Sequence, residues 1–290
     1  MADSLELWRR GGAAFTHRGH DLFVRRGGDP RAPVLVLIHG FPTASWDFAP
    51  LWAALVARWR VLTLDLLGLG LSAKPPGHRY SIGEQADLIQ GFLRAEGVTE
   101  YHVLAHDYGD TVAQELLARG GRQPALRSVC LLNGGIFPEA HRPLLIQRLL
   151  SSPLGPLVAR LSTRTTFAAS MHRIFGPGRA PTPAELDGWW ALITHGNGRA
   201  ALAGVSRYRQ ERRRLRTRWV GALQATPVPL RLIIGTADPI AGASVASRYR
   251  QLVPRADVIE LDGVGHYPQV EAPERVLAAY ADFRAGHGVG

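Results

Sequence analysis

Residues 101–117 constrain the fold of this chain most, because they predict a strand, a cramped turn and a helix in direct succession. The strand is apolar and ends near His106, and the helix is expected from about Asp110. Asp107 lies between them and is followed, one residue later, by Gly109. A glycine there suits a turn in which helix and strand pack too closely for a side chain. The order predicts that Asp107 is held at the carboxyl edge of a sheet, where the first helix amides favour negative charge.

The other interpretation of Asp107 is structural, since aspartate commonly caps a helix. The rest of the chain favours the chemical role. Asp238 follows an apolar strand predicted at 228–235, and His266 follows another predicted at 256–261. Open α/β sheets place their sites just beyond the carboxyl ends of their strands, so three such residues in three such places are expected to meet.

The remaining pattern alternates strands and helices up to Gly134 and resumes near residue 228. It predicts a hairpin (13–18 and 21–26), strands at 33–39, 60–65 and 126–132, and helices at 45–59, 81–96, 243–253 and 273–285. Helix-capping sequences open two helices, at Ser81–Glu84 and Thr182–Glu185. The interruption predicts a helical cap at 135–217 inserted into a core formed by 1–134 and 218–290.

Composition excludes several classes. The chain has 290 residues, of which 46% are hydrophobic and 20% charged, as in soluble globular proteins. No apolar run approaches the ~20 residues of a membrane span, and the first residues include early acids and no apolar signal segment. The single cysteine, Cys130, excludes an internal disulfide. We therefore expect a cytoplasmic protein without a membrane span, a monomer or a homodimer.

Two features suggest partners that the sequence as a whole does not support. The net charge of +10 invites a nucleic-acid interpretation, but the dense basic run at 207–218 would spread around a helix as a solvated face, and no nucleic-acid motif accompanies it. Residues 68–73 match a dinucleotide fingerprint that needs a helix, which Pro75 and Pro76 forbid. We expect no nucleic acid, no metal and no cofactor.

The residue types limit the chemistry. No G-x-S-x-G occurs, which disfavours a serine esterase. A carboxylate attacking an ester carbonyl would form an anhydride that reverts, whereas attack on a strained ring or an sp³ carbon with a leaving group forms a stable ester. We therefore expect Asp107 to attack carbon, His266 to activate the hydrolytic water, and Asp238 to hold the imidazole. The backbone amides of Phe41 and Tyr108 are the expected oxyanion hole.

The order Asp107, Asp238, His266, with the string His39-Gly40-Phe41-Pro42, resembles the α/β-hydrolase superfamily in its branch of epoxide hydrolases and haloalkane dehalogenases. The resemblance covers nearly the whole chain. It implies a mostly parallel central sheet with helices on both faces and a helical lid inserted after strand 6. It also implies a cofactor-free hydrolase acting on a small-molecule apolar electrophile.

The resemblance also suggests substrate-binding residues. Dehalogenases usually carry a tryptophan after the nucleophile and often an asparagine after His-Gly, but this chain has Tyr108 and Phe41 there. A lid tryptophan, Trp189 or Trp190, is the candidate replacement, with lid packing as its alternative role. Epoxide hydrolases use lid tyrosines to protonate the opening ring.

Tyr208 in the late lid matches the second of those tyrosines, His172 is the candidate for the first, and His39 is a further candidate substrate contact. Epoxide hydrolysis is the favoured activity. The alternatives are dehalogenation and a non-catalytic ligand-binding homologue.

Overall fold

The computed structural model describes residues 4–121 and 123–287. Its strands are β1 (Gly12–His17), β2 (His20–Gly27), β3 (Val34–Ile38), β4 (Arg60–Leu64), β5 (Glu100–His106), β6 (Ala125–Leu132), β7 (Leu230–Gly235) and β8 (Val258–Leu261). They form one sheet in the order β1-β2-β4-β3-β5-β6-β7-β8. The β1–β2 and β2–β4 pairs are antiparallel and the other pairs are parallel. The prediction of a mostly parallel sheet is confirmed.

The helices follow the predicted alternation. They are α1 (Leu5–Arg10), α2 (Ala49–Val56), α3 (Ile82–Ala95), α4 (Tyr108–Ala118), α5 (Leu145–Leu150), α6 (Gly155–Leu161), α7 (Arg164–Ile174), α8 (Pro183–Thr194), α9 (Gly198–Val205), α10 (Tyr208–Arg214), α11 (Arg216–Ala225), α12 (Ala243–Leu252), α13 (Pro268–Glu271) and α14 (Pro273–Ala285). Among the described residues, none of them combines the length and apolar character needed to cross a bilayer.

The central strands are apolar without alternation because helices cover both faces of the sheet. Helices α3 and α4 contribute to the larger apolar core, with Leu88 and Val112 fully buried. Helices α2 and α14 pack on the opposite face, where Leu51 and Phe283 are buried. The two cores hold the strand ends in fixed positions, which is what a site at the carboxyl edge requires.

The predicted single helix at 45–59 is wrong in detail. Ser45–Phe48 form a 3₁₀ turn, and the α-helix begins only at Ala49. Pro50 lies in its first turn, where a missing N–H is tolerated, whereas a longer helix would place the ring against the carbonyl of Trp46. Residues 68–72 form turns and start no helix, which agrees with the effect expected of Pro75 and Pro76.

Helices α5 to α10 lie between β6 and β7, as expected of an inserted cap. The capping sequence at Thr182 is formed in both directions: its hydroxyl accepts the Glu185 N–H at 3.2 Å, and the Glu185 carboxylate accepts the Thr182 N–H at 2.8 Å. Helix α11 packs against α4. The division into a core (1–134 and 218–290) and a cap (135–217) stays a proposal.

Candidate active site

Asp107 lies in a strained turn between β5 and α4. Its backbone has φ 48° and ψ −103°, a conformation rare for a residue with a side chain. A Cβ at Gly109 would lie 2.3 Å from the carbonyl oxygen of Ile38, so only glycine lets the helix approach the neighbouring strand this closely. The predicted reason for glycine at this position is confirmed.

The Asp107 side chain does not cap α4, so the structural interpretation of this residue is wrong. Its carboxylate turns to the loop after β3, where Oδ2 accepts the backbone N–H of Phe41 at 3.1 Å. The side chain is buried. One predicted oxyanion donor therefore contacts the predicted nucleophile, and Tyr108, the other, is the first residue of α4.

Asp238 and His266 meet between the ends of β7 and β8. The Asp238 Oδ2 accepts a hydrogen bond from His266 Nδ1 at 2.7 Å, and both residues are buried. The bond fixes the imidazole, so Nε2 is the nitrogen left for exchange of a proton with water.

Asn133 binds the carboxylate of Asp238, a contact that the sequence did not reveal. Its amide Nδ2 donates to the Asp238 Oδ2 at 2.9 Å, and its Oδ1 accepts the N–H of Gly235 at 2.8 Å. Asn133 directly follows β6 and has a positive φ of 45°, which asparagine tolerates better than most residues. An asparagine just beyond a predicted strand was the available signal.

The charge on His266 depends on its neighbours. Burial alone would lower the pKa of the imidazole, but the charges of Asp238 and Asp107, with the Asp238 hydrogen bond, raise it to about 9. The imidazolium is therefore the resting form at neutral pH. Since the charge of Asp107 contributes to this pKa, the two groups are electrostatically coupled.

His106, the residue before Asp107, contacts the backbone of the loop that carries His266. Its Nε2 is 2.8 Å from the backbone oxygen of His266, to which it donates. Burial and then the charge of His266 hold the pKa of His106 well below its usual range, so this ring is neutral. His106 is a positioning residue that the sequence analysis missed, although its place beside the nucleophile was a signal.

Tyr208, at the first turn of α10, packs against two neighbours of Asp107, the predicted nucleophile. Its buried ring lies 6.0 Å from that of Phe41, whose N–H binds the Asp107 carboxylate, and 4.6 Å from that of Tyr108, the residue after Asp107. Burial, and then the charge of Asp107, raise the pKa of the hydroxyl, which stays protonated. The neighbouring Arg212 guanidinium acts on this hydroxyl as a donor, and no described residue accepts the hydroxyl's own proton.

The basic run at 207–218 is only in part the solvated face that was expected: Arg207, Arg213, Arg214 and Arg218 are exposed, whereas Arg209 and Arg216 are half-buried and Arg212 is buried. The guanidinium of Arg212 is buried, lies 4.9 Å from the Tyr208 ring centroid and donates twice to the Thr111 hydroxyl. Arg216 and Arg218 pair with acids outside the run, Glu139 and Glu115. By the predicted boundaries, Arg212 links the cap to the core, whereas Arg216 pairs within the cap and Arg218 within the core.

Two histidines expected at the substrate lie elsewhere, and we correct both assignments. His39 Nε2 accepts the N–H of Leu66 at 2.9 Å, so Nδ1 donates to the Gly40 carbonyl at 2.8 Å. Both ring nitrogens therefore serve the loop that carries the oxyanion donor. His172 is exposed on α7. A motif specifies the residue but not the direction of its ring, which is why these two were misplaced.

The two lid tryptophans differ. Trp189 is buried and its Nε1 donates to the Asp47 carboxylate at 2.9 Å, so its N–H is occupied. Burial raises the pKa of Asp47 to about 8. Trp190 is half-buried and lines the central cavity. Of the two, only Trp190 is placed to meet a substrate.

A cavity of about 90 Å³ connects His266 and Phe41 to the inner face of the cap. Its remaining lining comes mainly from apolar side chains: Pro42, Leu144, Ile146, Leu150, Phe167, Met171, Ile174, Trp190, Ile193, Leu202, Ile240 and Tyr267. The few polar lining residues are Gln147, Ser162, Thr166 and Ser170. Such a lining favours a small apolar ligand.

One group of described residues has donors spaced for a metal ion: His20, His78 and Glu84, all half-buried. The carboxylate of Glu84 already binds His78 Nε2 at 2.8 Å. None of Asp107, Asp238 or His266 belongs to this group.

Comparison with known proteins identifies the fold and the family. The chain is 41% identical over 299 residues to the mesoderm-specific transcript protein of Mus musculus, covering 98% of this chain and 88% of that protein. The expectation that the resemblance covers nearly the whole chain is confirmed by this match.

Two solved structures share the architecture. Haloalkane dehalogenase DbeA from Bradyrhizobium elkani USDA94 has a TM-score of 0.82 at 20% identity, over 95% of this chain and 97% of that one. The epoxide hydrolase CorEH has a TM-score of 0.81 at 15% identity, over 95% and 98%. The alpha/beta hydrolase family model matches residues 35–279. The chain belongs to the alpha/beta hydrolase family.

Proposed function

We propose that this protein hydrolyses small apolar epoxides through a covalent ester on Asp107. The observation that carries the proposal is the buried Tyr208 hydroxyl, whose proton no described residue accepts and whose ring packs against Tyr108, the residue after Asp107. Ring opening needs a proton donor beside the attacked carbon, and a protonated tyrosine supplies one.

The first step forms the ester. A carboxylate oxygen of Asp107 attacks a ring carbon, the carbon–oxygen bond of the strained ring breaks, and the ring oxygen takes the proton of Tyr208. The site is buried and mainly apolar, which strengthens the attraction between an attacking anion and its substrate carbon. The product of this step is a hydroxyalkyl ester, and the tyrosinate recovers its proton from solvent.

The second step hydrolyses the ester. Esterification removes the negative charge of Asp107, which is one of the charges that raise the pKa of His266. The pKa of the imidazole therefore falls when a base is needed, and His266 gains a neutral form that takes a proton from water. Water attacks the ester carbonyl, the Phe41 and Tyr108 amides stabilise the oxyanion, and the diol leaves with Asp107 regenerated.

The hydrogen-bond donors that face the leaving group favour epoxide opening over dehalogenation. A halide leaving group needs N–H donors, and the N–H of Trp189 is bound to Asp47. The residue after the nucleophile is Tyr108, whose ring packs edge-on against Tyr208. A hydroxyl donor toward an oxygen leaving group is present, whereas two halide donors are not identified among the described residues.

The test is a single turnover with excess enzyme and styrene oxide in ¹⁸O-labelled water. We expect the label in the Asp107 side chain, because water attacks the ester carbonyl and the diol leaves with an original carboxylate oxygen. In a second arm, the His266→Gln variant should accumulate an adduct with the mass of enzyme plus epoxide. Label found only in the diol, with Asp107 unlabelled, would overturn the covalent mechanism.

The same measurements on 1-chlorohexane separate the two substrate classes. An adduct of His266→Gln with the chloroalkane but not with the epoxide would replace the proposal with dehalogenation. Tight ligand capture without turnover, unchanged in Asp107→Asn, would instead identify a binding protein.

A further inference from the structure

The outer surface of the cap exposes leucines where a soluble protein would carry polar side chains. Four large apolar residues of α5 and α6, counting the residue before α6, are more than half exposed: Leu145 at 70%, Leu154 at 59%, Leu157 at 56% and Leu161 at 67%. Only one other large apolar side chain in the described ranges is as exposed, Leu7 in α1. Apolar exposure is therefore concentrated on one part of the molecule.

Helix spacing places three of these leucines together. Leu154, Leu157 and Leu161 are three and then four residues apart, so they share one face of α6. The opposite face, with Gly155 and Ala159, is buried. Helix α5, which contacts α6, begins with the fourth exposed leucine, Leu145. Contiguous apolar surface of this kind marks an interaction site.

The surrounding charge indicates the partner. Residues 140–184 contain six arginines and neither aspartate nor glutamate. Arg148 on α5 and Arg160 on α6 are exposed, and neither has an ion-pair partner among residues 4–121 and 123–287. Arginine side chains without carboxylate partners, set among exposed leucines, complement a surface that is anionic above and apolar below, as in a bilayer of acidic lipids.

A second copy of this chain fits the same surface less well. A symmetric dimer brings the same patch of both subunits together, so Arg148 and Arg160 of one copy would meet a patch in which 140–184 supplies no acid. Like charges brought together across an interface oppose association. The charge pattern thus favours an anionic partner over self-association.

The inner face of α5 lines the central cavity. Ile146, Gln147 and Leu150 line the central cavity, while Leu145 and Arg148 point to solvent. Helix α5 therefore has an exposed leucine on one side and cavity-lining residues on the other. A molecule dissolved in a bilayer beside Leu145 would reach the cavity past this one helix.

We propose that the Leu–Arg face, defined as Leu145, Leu154, Leu157, Leu161, Arg148 and Arg160, docks on the surface of an anionic membrane. The leucines enter the boundary between headgroups and acyl chains, and the arginines bind lipid phosphates. Docking of this face does not depend on the proposed reaction, since it concerns the outside of the cap.

The experiment is flotation of the full-length protein with lipid vesicles. Vesicles of phosphatidylcholine alone are compared with vesicles of equal parts phosphatidylcholine and phosphatidylglycerol, from about 0.05 M to about 0.5 M salt. We expect binding to the phosphatidylglycerol vesicles, weakened by salt, and little binding to phosphatidylcholine. The triple variant Leu154→Ser, Leu157→Ser, Leu161→Ser should lose binding by about tenfold or more.

The matched control is Leu7→Ser, which removes an equally exposed leucine on α1 and should bind as the parent protein does. Circular dichroism and thermal unfolding check that each variant is folded. Failure of the parent protein to float with anionic vesicles at low salt overturns the proposal, as does binding that the triple variant retains. Light scattering adds one more outcome: a dimer abolished by the leucine changes, with no vesicle binding, would assign this face to a second copy.

Discussion

Tyr208 is the residue whose removal separates the two chemical steps. Tyr208→Phe keeps the ring between Phe41 and Tyr108 but deletes the proposed proton donor. We expect kcat/KM for an epoxide to fall by about 10² to 10⁴, the usual contribution of a general acid, while hydrolysis of a preformed ester is unchanged. Rapid-quench measurement of ester formation and decay tests both halves.

The chain offers a matched control for that variant. Tyr280, in α14, is also buried with a hydroxyl that lacks a partner among the described residues, but it packs against Trp59. Tyr280→Phe should leave both rates unchanged. Ester formation that is equally fast in Tyr208→Phe and the parent would refute the donor role.

Asn133 gives a second prediction at this scale. Asn133→Ala removes the donor to Asp238 and the acceptor for the Gly235 N–H, so the acid that orients His266 is held less firmly. Hydrolysis of the ester should slow by about tenfold or more, because a hydrogen bond to a charged group contributes about 1.5–3 kcal/mol and about 1.4 kcal/mol is a tenfold change in rate. Ester formation, which does not use the base, should change less.

The second asparagine of the chain serves as its control. Asn197 is exposed before α9 and its side chain makes no capping bond, so Asn197→Ala should behave as the parent protein does in both steps. Equal slowing of ester formation and hydrolysis in Asn133→Ala would point to a general loss of structure instead of a positioning role.

The residues that sequence reasoning could and could not find differ in one physical respect. Three residues, Asp107, Asp238 and His266, each follow a predicted strand. The local sequence pattern was therefore enough to predict that they lie at one edge of the sheet. The bonds of His39 to Leu66 and of Trp189 to Asp47 span 27 and 142 positions. Those depend on how loops fold back, which no local pattern specifies.

The junction of β5 and α4 is the element on which the site depends. Gly109→Ala would place a Cβ 2.3 Å from the Ile38 carbonyl oxygen, so the helix must move away from the strand. We expect the free energy of unfolding to fall by about 1–3 kcal/mol or more, the usual cost of overpacking. Urea unfolding measures this, and ester formation should fall with it because Asp107 moves.

Gly221 is the matched glycine. It lies inside α11, and a Cβ there would meet no atom within 4 Å. Gly221→Ala should therefore raise the free energy of unfolding by about 0.5–1 kcal/mol, the helix-propensity difference. A destabilisation equal to that of Gly109→Ala would show that the close approach at Ile38 is not the cause.

Element boundaries were predictable where a local signal marked them. The Thr182 capping box and the closing helix Pro273–Ala285 were predicted as observed. Helix α4, which follows Asp107, begins at Tyr108, two residues earlier than expected. The strained backbone of Asp107 allows the turn to close within a single residue. The packing around Asp107 maintains this strained conformation. The residue type at position 107 does not indicate the strain, so the sequence could not predict it.

The whole molecule determines how buried charge affects stability. The sheet order and the inserted cap follow from strand and helix alternation, but the burial of His266 and Asp47 arises only when cap and core close together. These two groups have folded-state pKa values above their ordinary ones, at about 9 against 6.5 and about 8 against 3.8. In each case the folded protein binds more protons than the unfolded chain between the two values, so stability falls as pH rises through that window.

The pH range over which stability is lost differs between His266 and Asp47, and this difference can be tested. The contribution of His266 is fully present below pH 6.5 and is lost as pH rises toward about 9. The contribution of Asp47 already falls from pH 3.8 and is exhausted near about 8. The difference in unfolding free energy between parent and His266→Gln should therefore decline mainly between 6.5 and 9, and that between parent and Asp47→Asn mainly between 3.8 and 8.

Urea unfolding of the three proteins across pH measures both differences. A parent-minus-His266→Gln difference that rises with pH across its window would mean that the imidazole is neutral in the folded protein. The coupling to Asp107, on which the proposed timing of the base depends, would then be absent.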